Sequence, residues 1–117
     1  MLRYLSVLAL LAGSALAQEV TNAPGGVVRV LDKTSSQVTD LEIGAGQARD
    51  IGSLHIVMAE CRYPTGNPAG DAYAELEISE NGVAGTVFSG WMIASAPALS
   101  AMEHQRYDVW VMRCITA

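Results

Sequence analysis

Along much of this chain polar and apolar residues alternate at the two-residue spacing of a β-strand rather than the three-to-four spacing of a helix. Between residues 37 and 43, Thr39, Leu41 and Ile43 fall on one face and Asp40 and Glu42 on the other. A preceding β-branched run, Val27 to Leu31, is joined to it by the turn-like residues 33–36, which predicts a first hairpin. Residues 48–51 suit a short strand, and residues 54–61 a longer one with Leu54, Ile56 and Met58 on a shared face. Two prolines and two glycines within residues 64–70 then force an irregular loop. Ala72, Ala74, Leu76 and Ile78 alternate with Tyr73, Glu75 and Glu77, and Asn81-Gly82 follows. That pair supplies the two positive-φ positions of a type I′ turn, so a tight hairpin returning over residues 83–92 is expected.

The pattern changes over residues 94–105, which are rich in alanine and carry Pro97 where a helix would start. One short helix or ordered loop is expected there, with Leu99 and Met102 on one side. Residues 107–114 return to strand character, Val109 and Val111 pointing one way and Trp110 and Met112 the other. Apolar side chains on both faces predict burial on both sides. The sum is an all-β fold, a small antiparallel sandwich or barrel of about seven strands.

Before that domain the chain reads as an export leader. Arg3 precedes an uncharged, Leu- and Ala-rich stretch that ends in Ala15-Leu16-Ala17, the small-x-small pattern cut by signal peptidase. Cleavage is expected after Ala17. Gly13 and Ser14 interrupt the run and Gln18 and Glu19 follow at once, which argues against a spanning helix of about 20 apolar residues. No cysteine stands at the junction, so no lipid anchor is expected. The division is therefore a signal peptide (1–17), a flexible lead-in (18–26) and a single β domain (27–117), exported to a bacterial periplasm.

Composition narrows the partners. Losing Arg3 leaves six basic residues against twelve acidic ones, a net charge of −6 with no basic run. Such a surface repels phosphate backbones, so nucleic acid is not an expected partner. Cys61 and Cys114 are the only cysteines, an even count in an exported chain, and a disulfide between them is the expected use. Catalytic or metal-binding thiols are the alternative; neither cysteine belongs to a Cys-x-x-Cys pair or has an adjacent histidine.

Chemistry is sparse. Glu75 and Glu77 invite a glycosidase reading, but strand alternation accounts for them as a solvated face, as it does for Asp40 and Glu42. Met92, Met102, Met112 and His104 could offer soft ligands to copper, yet their spacing is that of core residues, and methionine is a common gap-filler. No cofactor is expected. Ser89, Ser95, Ser100, His104 and Asp108 contain the residue types of a nucleophilic triad without a Gly-x-Ser-x-Gly elbow. Glu103-His104 before Tyr107-Asp108 reads either as a hydrogen-bonded corner or, with Trp91, as a recognition surface of Trp91, Glu103, His104, Tyr107 and Asp108. Strand parity sends Tyr107 and Trp110 to opposite faces.

Ser89-Gly90-Trp91-Met92, Ala94-Ser95, Pro97, Leu99, Glu103-His104 and Tyr107-Asp108-Val109-Trp110-Val111 with Cys114 resemble the hallmark segment of an alphaproteobacterial exported family, the domain-of-unknown-function family 2155. The match is specific over residues 88–114 and weaker over residues 27–80. The resemblance implies an all-β exported domain and brings no catalytic residue. The resulting expectation is a non-enzymatic accessory or structural subunit of an envelope or inner-membrane complex, such as a respiratory one, that meets a protein partner at the periplasmic face of the inner membrane. A small-ligand or saccharide-binding domain is the first alternative, followed by a copper-binding protein and a hydrolase.

Overall fold

The computed structural model describes residues 19–116. The expected signal peptide and its cleavage site lie outside the described residues. Eight strands form two antiparallel sheets: β1 (Val20–Asn22), β2 (Gly25–Asp32), β3 (Gln37–Gly44), β4 (Gln47–Ile51), β5 (Leu54–Pro64), β6 (Tyr73–Glu80), β7 (Thr86–Ile93) and β8 (Tyr107–Ile115). One sheet runs β1-β5-β6-β7, with β4 sharing the β5 edge beside β1; the other runs β3-β2-β8. Each sheet is apolar on one face, and the two faces close on a core that includes Val28, Val30, Ile43, Leu54, Ile56, Met58, Leu76, Ile78 and Val111. The all-β expectation holds.

Two bulges decide where the cysteines point. In β5, Leu54, Ile56 and Met58 face inward in strict alternation, which would send Cys61 outward. Ala59 is an extra residue, because Met58 pairs with Leu76 while Glu60 pairs with Glu75. The shift turns Cys61 into the core. In β8, Tyr107, Val109 and Val111 face inward and Met112 is the extra residue, since Val28 pairs with Val111 and Val27 with Arg113. That shift brings Cys114 inward. The two sulfurs meet as a disulfide with 5.8 Å between Cα atoms, joining the five-stranded sheet to the three-stranded one. Gly26, opposite Cys114 in β2, makes the room: a Cβ there would lie 2.8 Å from Cys61 Sγ and 3.0 Å from Met58 Cε.

Four local expectations are corrected. The lead-in is built into the fold, with β1 paired to residues 62–64 and Gly25 and Gly26 opening β2. The turn after β6 is longer than a two-residue hairpin. Asn81 keeps a negative φ, and Gly82 and Gly85 take the positive values, so β7 begins only at Thr86. The alanine-rich stretch is the expected short helix or ordered loop, a single 3-10 turn over Pro97–Ser100, but its side chains are not arranged as expected. Leu99 on that turn is 75% exposed while Met102 is buried, so they do not share a face. Finally, β8 is an edge strand: Val109 and Val111 are buried, whereas Trp110 and Met112 on its outer face are only half-buried.

Candidate interaction site

The residues expected to form one recognition surface are divided between two places. Trp91 lies on the outer face of the five-stranded sheet, opposite Glu75 of β6, which in turn stands opposite Glu60 of β5. It is half-buried. The Arg62 guanidinium sits 4.9 Å from the centre of the indole ring and grips both carboxylate oxygens of Glu60 at 3.0 Å. Arg62 Nε is closed off from water without an acceptor, so the stacked indole offsets part of what that N–H loses. Neutralising Glu60 relieves its like-charge opposition to Glu75. Glu75 and Glu77 have no ion-pair or hydrogen-bond partner among the described residues. They lie on the polar face of β6, as alternation implies.

Glu103, His104, Tyr107 and Asp108 gather at the far end of β6, roughly 17 Å from Glu75 by strand rise. His104 is the hub. Its Nδ1 accepts the backbone N–H groups of Arg106 at 2.9 Å and Tyr107 at 3.1 Å. A ring nitrogen that accepts carries no proton, so the neutral ring bears its proton on Nε2 and donates it to Glu80 Oε1 at 3.1 Å. Ser53 Oγ donates to the other Glu80 oxygen at 3.0 Å. These donors, His104 first and Ser53 second, hold the Glu80 carboxyl below the usual carboxylate range. Lys33 Nζ donates to the His104 carbonyl at 2.7 Å and lies 3.5 Å from Asp108. Arg106 clasps Asp32 and, with the Thr34 donors, drives the Asp32 carboxyl far below its ordinary value.

Tyr107 is buried, its ring 5.4 Å from the His104 ring and its hydroxyl against Gly52, where any Cβ would collide. It therefore cannot serve as an exposed contact. Glu103 is exposed and Asp108 half-buried. Glu80, Glu103, His104, Gln105 and Arg106 line a cleft of about 640 Å³. Within the corner His104, Glu80, Lys33, Arg106 and Asp32 are hydrogen-bonded to backbone and to one another, while Glu103 stays exposed without a partner among the described residues.

The triad types are not brought together. Ser95 donates its hydroxyl to Asp71 at 2.5 Å and its backbone N–H at 2.9 Å, while Ser89 stands opposite Glu77. Burial raises the Asp71 carboxyl, but these bonds and the Ala72 N–H outweigh it and leave the carboxyl below its ordinary value. Met92 and Met102 are core residues, as their spacing implies. Sequence reading missed Arg62, Glu60, Glu80, Lys33 and Asp32. Parity could have paired Arg62 with Glu60, two residues apart on β5; nothing local signals that Glu80 meets His104.

Fold and site together define a small disulfide-stapled β-sandwich with an aromatic, charged outer face. The family model described as "Uncharacterized protein conserved in bacteria (DUF2155)" matches residues 26–114, and the chain belongs to that family. It is 25% identical over 99 residues to "Uncharacterized protein RP359" of Rickettsia prowazekii (strain Madrid E), a match covering 82% of this chain. The match spans 64% of that relative's length. No solved structure matches the chain significantly.

Proposed function

We propose that the chain is an exported, non-enzymatic interaction module: an accessory subunit that meets a protein partner at the periplasmic face of the inner membrane. The observation that carries this reading is the outer face of the five-stranded sheet, where Trp91 lies under Arg62 beside the unpartnered Glu75. Tryptophan and arginine dominate the energetics of protein interfaces, and a half-buried pair already held in place loses little entropy on docking. A saccharide platform is less well served, because the guanidinium already occupies the indole against which a sugar would stack. The leader is expected to direct export with cleavage after Ala17, which N-terminal sequencing of the native protein tests; a start at Met1 contradicts it.

The interaction itself is tested by isolating the tagged protein from its own detergent-solubilised membranes. A stoichiometric partner that is retained by the unaltered chain and lost with Trp91→Ala supports the proposal. Recovery of a monodisperse monomer without a partner overturns it.

A further inference from the structure

We propose that His104 is a pH-sensitive latch on the connection between β7 and β8, closed when the imidazole is neutral and opened by its protonation. The connection, residues 94–106, leaves the sheet at Ala94 and returns at Tyr107, and the described contacts tie its C-terminal turn to the body of the domain through His104 and Arg106. Beside the Arg106–Asp32 pair and the Lys33 contacts, the turn is held from within by one lone pair. Nδ1 accepts two backbone N–H groups at once, those of Arg106 and Tyr107. A proton on Nδ1 turns that acceptor into a donor facing two other donors, and both amides lose their partner in a side chain only 12% exposed. The latched turn and the imidazolium therefore exclude each other.

The charged surroundings act in both directions. Glu80, from β6, attracts an imidazolium through Nε2, yet that bond exists in the neutral ring as well, so protonation strengthens one contact and abolishes two. Lys33 and Arg106 bring positive charge to the same turn, Lys33 through the His104 carbonyl and Arg106 as its neighbour two residues on. Asp32 and Asp108 are engaged by Arg106 and Lys33 respectively; Glu103 is the exposed sequence neighbour, and Tyr107 contributes its ring. Opening the turn also removes the Lys33 amide bond to the Arg106 carbonyl at 2.7 Å. It loosens the stretch that carries exposed Leu99 and covers the recess of about 250 Å³ between Pro97, Met102, Val109 and Trp110.

The test is nuclear magnetic resonance on ¹⁵N-labelled protein recovered after export. At neutral pH the imidazole should report a proton on Nε2 and none on Nδ1. On acidification the protection of the Arg106 and Tyr107 amides should fall about tenfold or more, the loss expected for a missing acceptor, with the midpoint of the imidazole itself. Core amides of Ile56 and Ile78 should keep theirs. Glu80→Gln keeps the hydrogen bond without the charge and should retain the transition; His104→Asn, whose side-chain oxygen replaces the Nδ1 acceptor, should remove it. An Nδ1–H tautomer at neutral pH, imidazole titration that leaves both amides unmoved, or a transition that vanishes in Glu80→Gln or persists in His104→Asn overturns the proposal.

Discussion

At one end of the sandwich Cys61 and Cys114 join the two sheets by a covalent bond, with Gly26 leaving the space for it. At the other end, the chain between the sheets is fastened by hydrogen bonds that converge on His104, Glu80 and Asp32. The covalent end carries on its outer face a half-buried Trp91 under Arg62. The hydrogen-bonded end spends its polar groups on its own backbone and responds to protons. Side chains that looked alike in sequence, an aromatic beside charged residues, thus have opposite uses: one end presents them and the other consumes them.

Removing the covalent closure should have the largest effect. Closing a loop of this span, 53 residues of separation, contributes about 4 kcal/mol in the chain-entropy model. Cys61→Ser with Cys114→Ser should lower the urea-derived stability by about that amount, and an unchanged midpoint would show that the disulfide is dispensable to the sandwich. Gly26→Ala comes next. Its Cβ presses on the disulfide sulfur and on Met58, neither of which is the free end of a surface side chain. Such overpacking costs about 1–3 kcal/mol, and chemical denaturation should show the loss in the oxidised protein. In the cysteine-free background the penalty should shrink, because smaller serine oxygens replace the bonded sulfurs.

The alternation of β3, β5 and β6 was legible because each has one solvated and one apolar face. The bulges were not. Ala59 and Met112 are apolar residues within largely apolar runs, so inserting either leaves no compositional trace, yet each reverses the parity of the cysteine that follows. The Asn81-Gly82 signal misled for a different reason: Gly85 offered a second positive-φ position three residues later, and the chain used both glycines in a wider turn. The candidate face was legible only in part. Trp91 stood out, but its partners Arg62 and Glu60 come from a strand about 30 residues earlier and meet it only through the β5-β6-β7 pairing.

Weakening the hydrogen-bonded end should cost less than breaking the covalent one. His104→Ala leaves two backbone donors and Glu80 Oε1 without their partner, about 1–2 kcal/mol in all once water enters the partly exposed turn. His104→Asn should recover most of it in the same denaturation experiment. Acid should act at this end as well. Asp32 and Glu80 have folded values below their unfolded ones, so their contribution is complete above the unfolded range near pH 4 and is lost as pH falls through the folded values. Urea midpoints measured between pH 5 and pH 3 should therefore drop, and by less in Asp32→Asn, where the titrating group is gone.

The smallest stability effect, and the one that separates presentation from consumption most sharply, is expected at Arg62. Its guanidinium is about one-third exposed, its ion pair with Glu60 is worth little in water, and stacking on an accessible indole adds about 0.5–1 kcal/mol. Arg62→Gln should therefore unfold within about 1 kcal/mol of the unaltered chain, less than His104→Ala. If the outer face is the docking surface, the same variant should nevertheless lose the partner recovered from solubilised membranes, because a few residues, enriched in tryptophan and arginine, carry most of an interface's binding energy. A large loss of stability with binding intact would reverse the comparison, making the Trp91 end another internal fastening and leaving the partner to a different face.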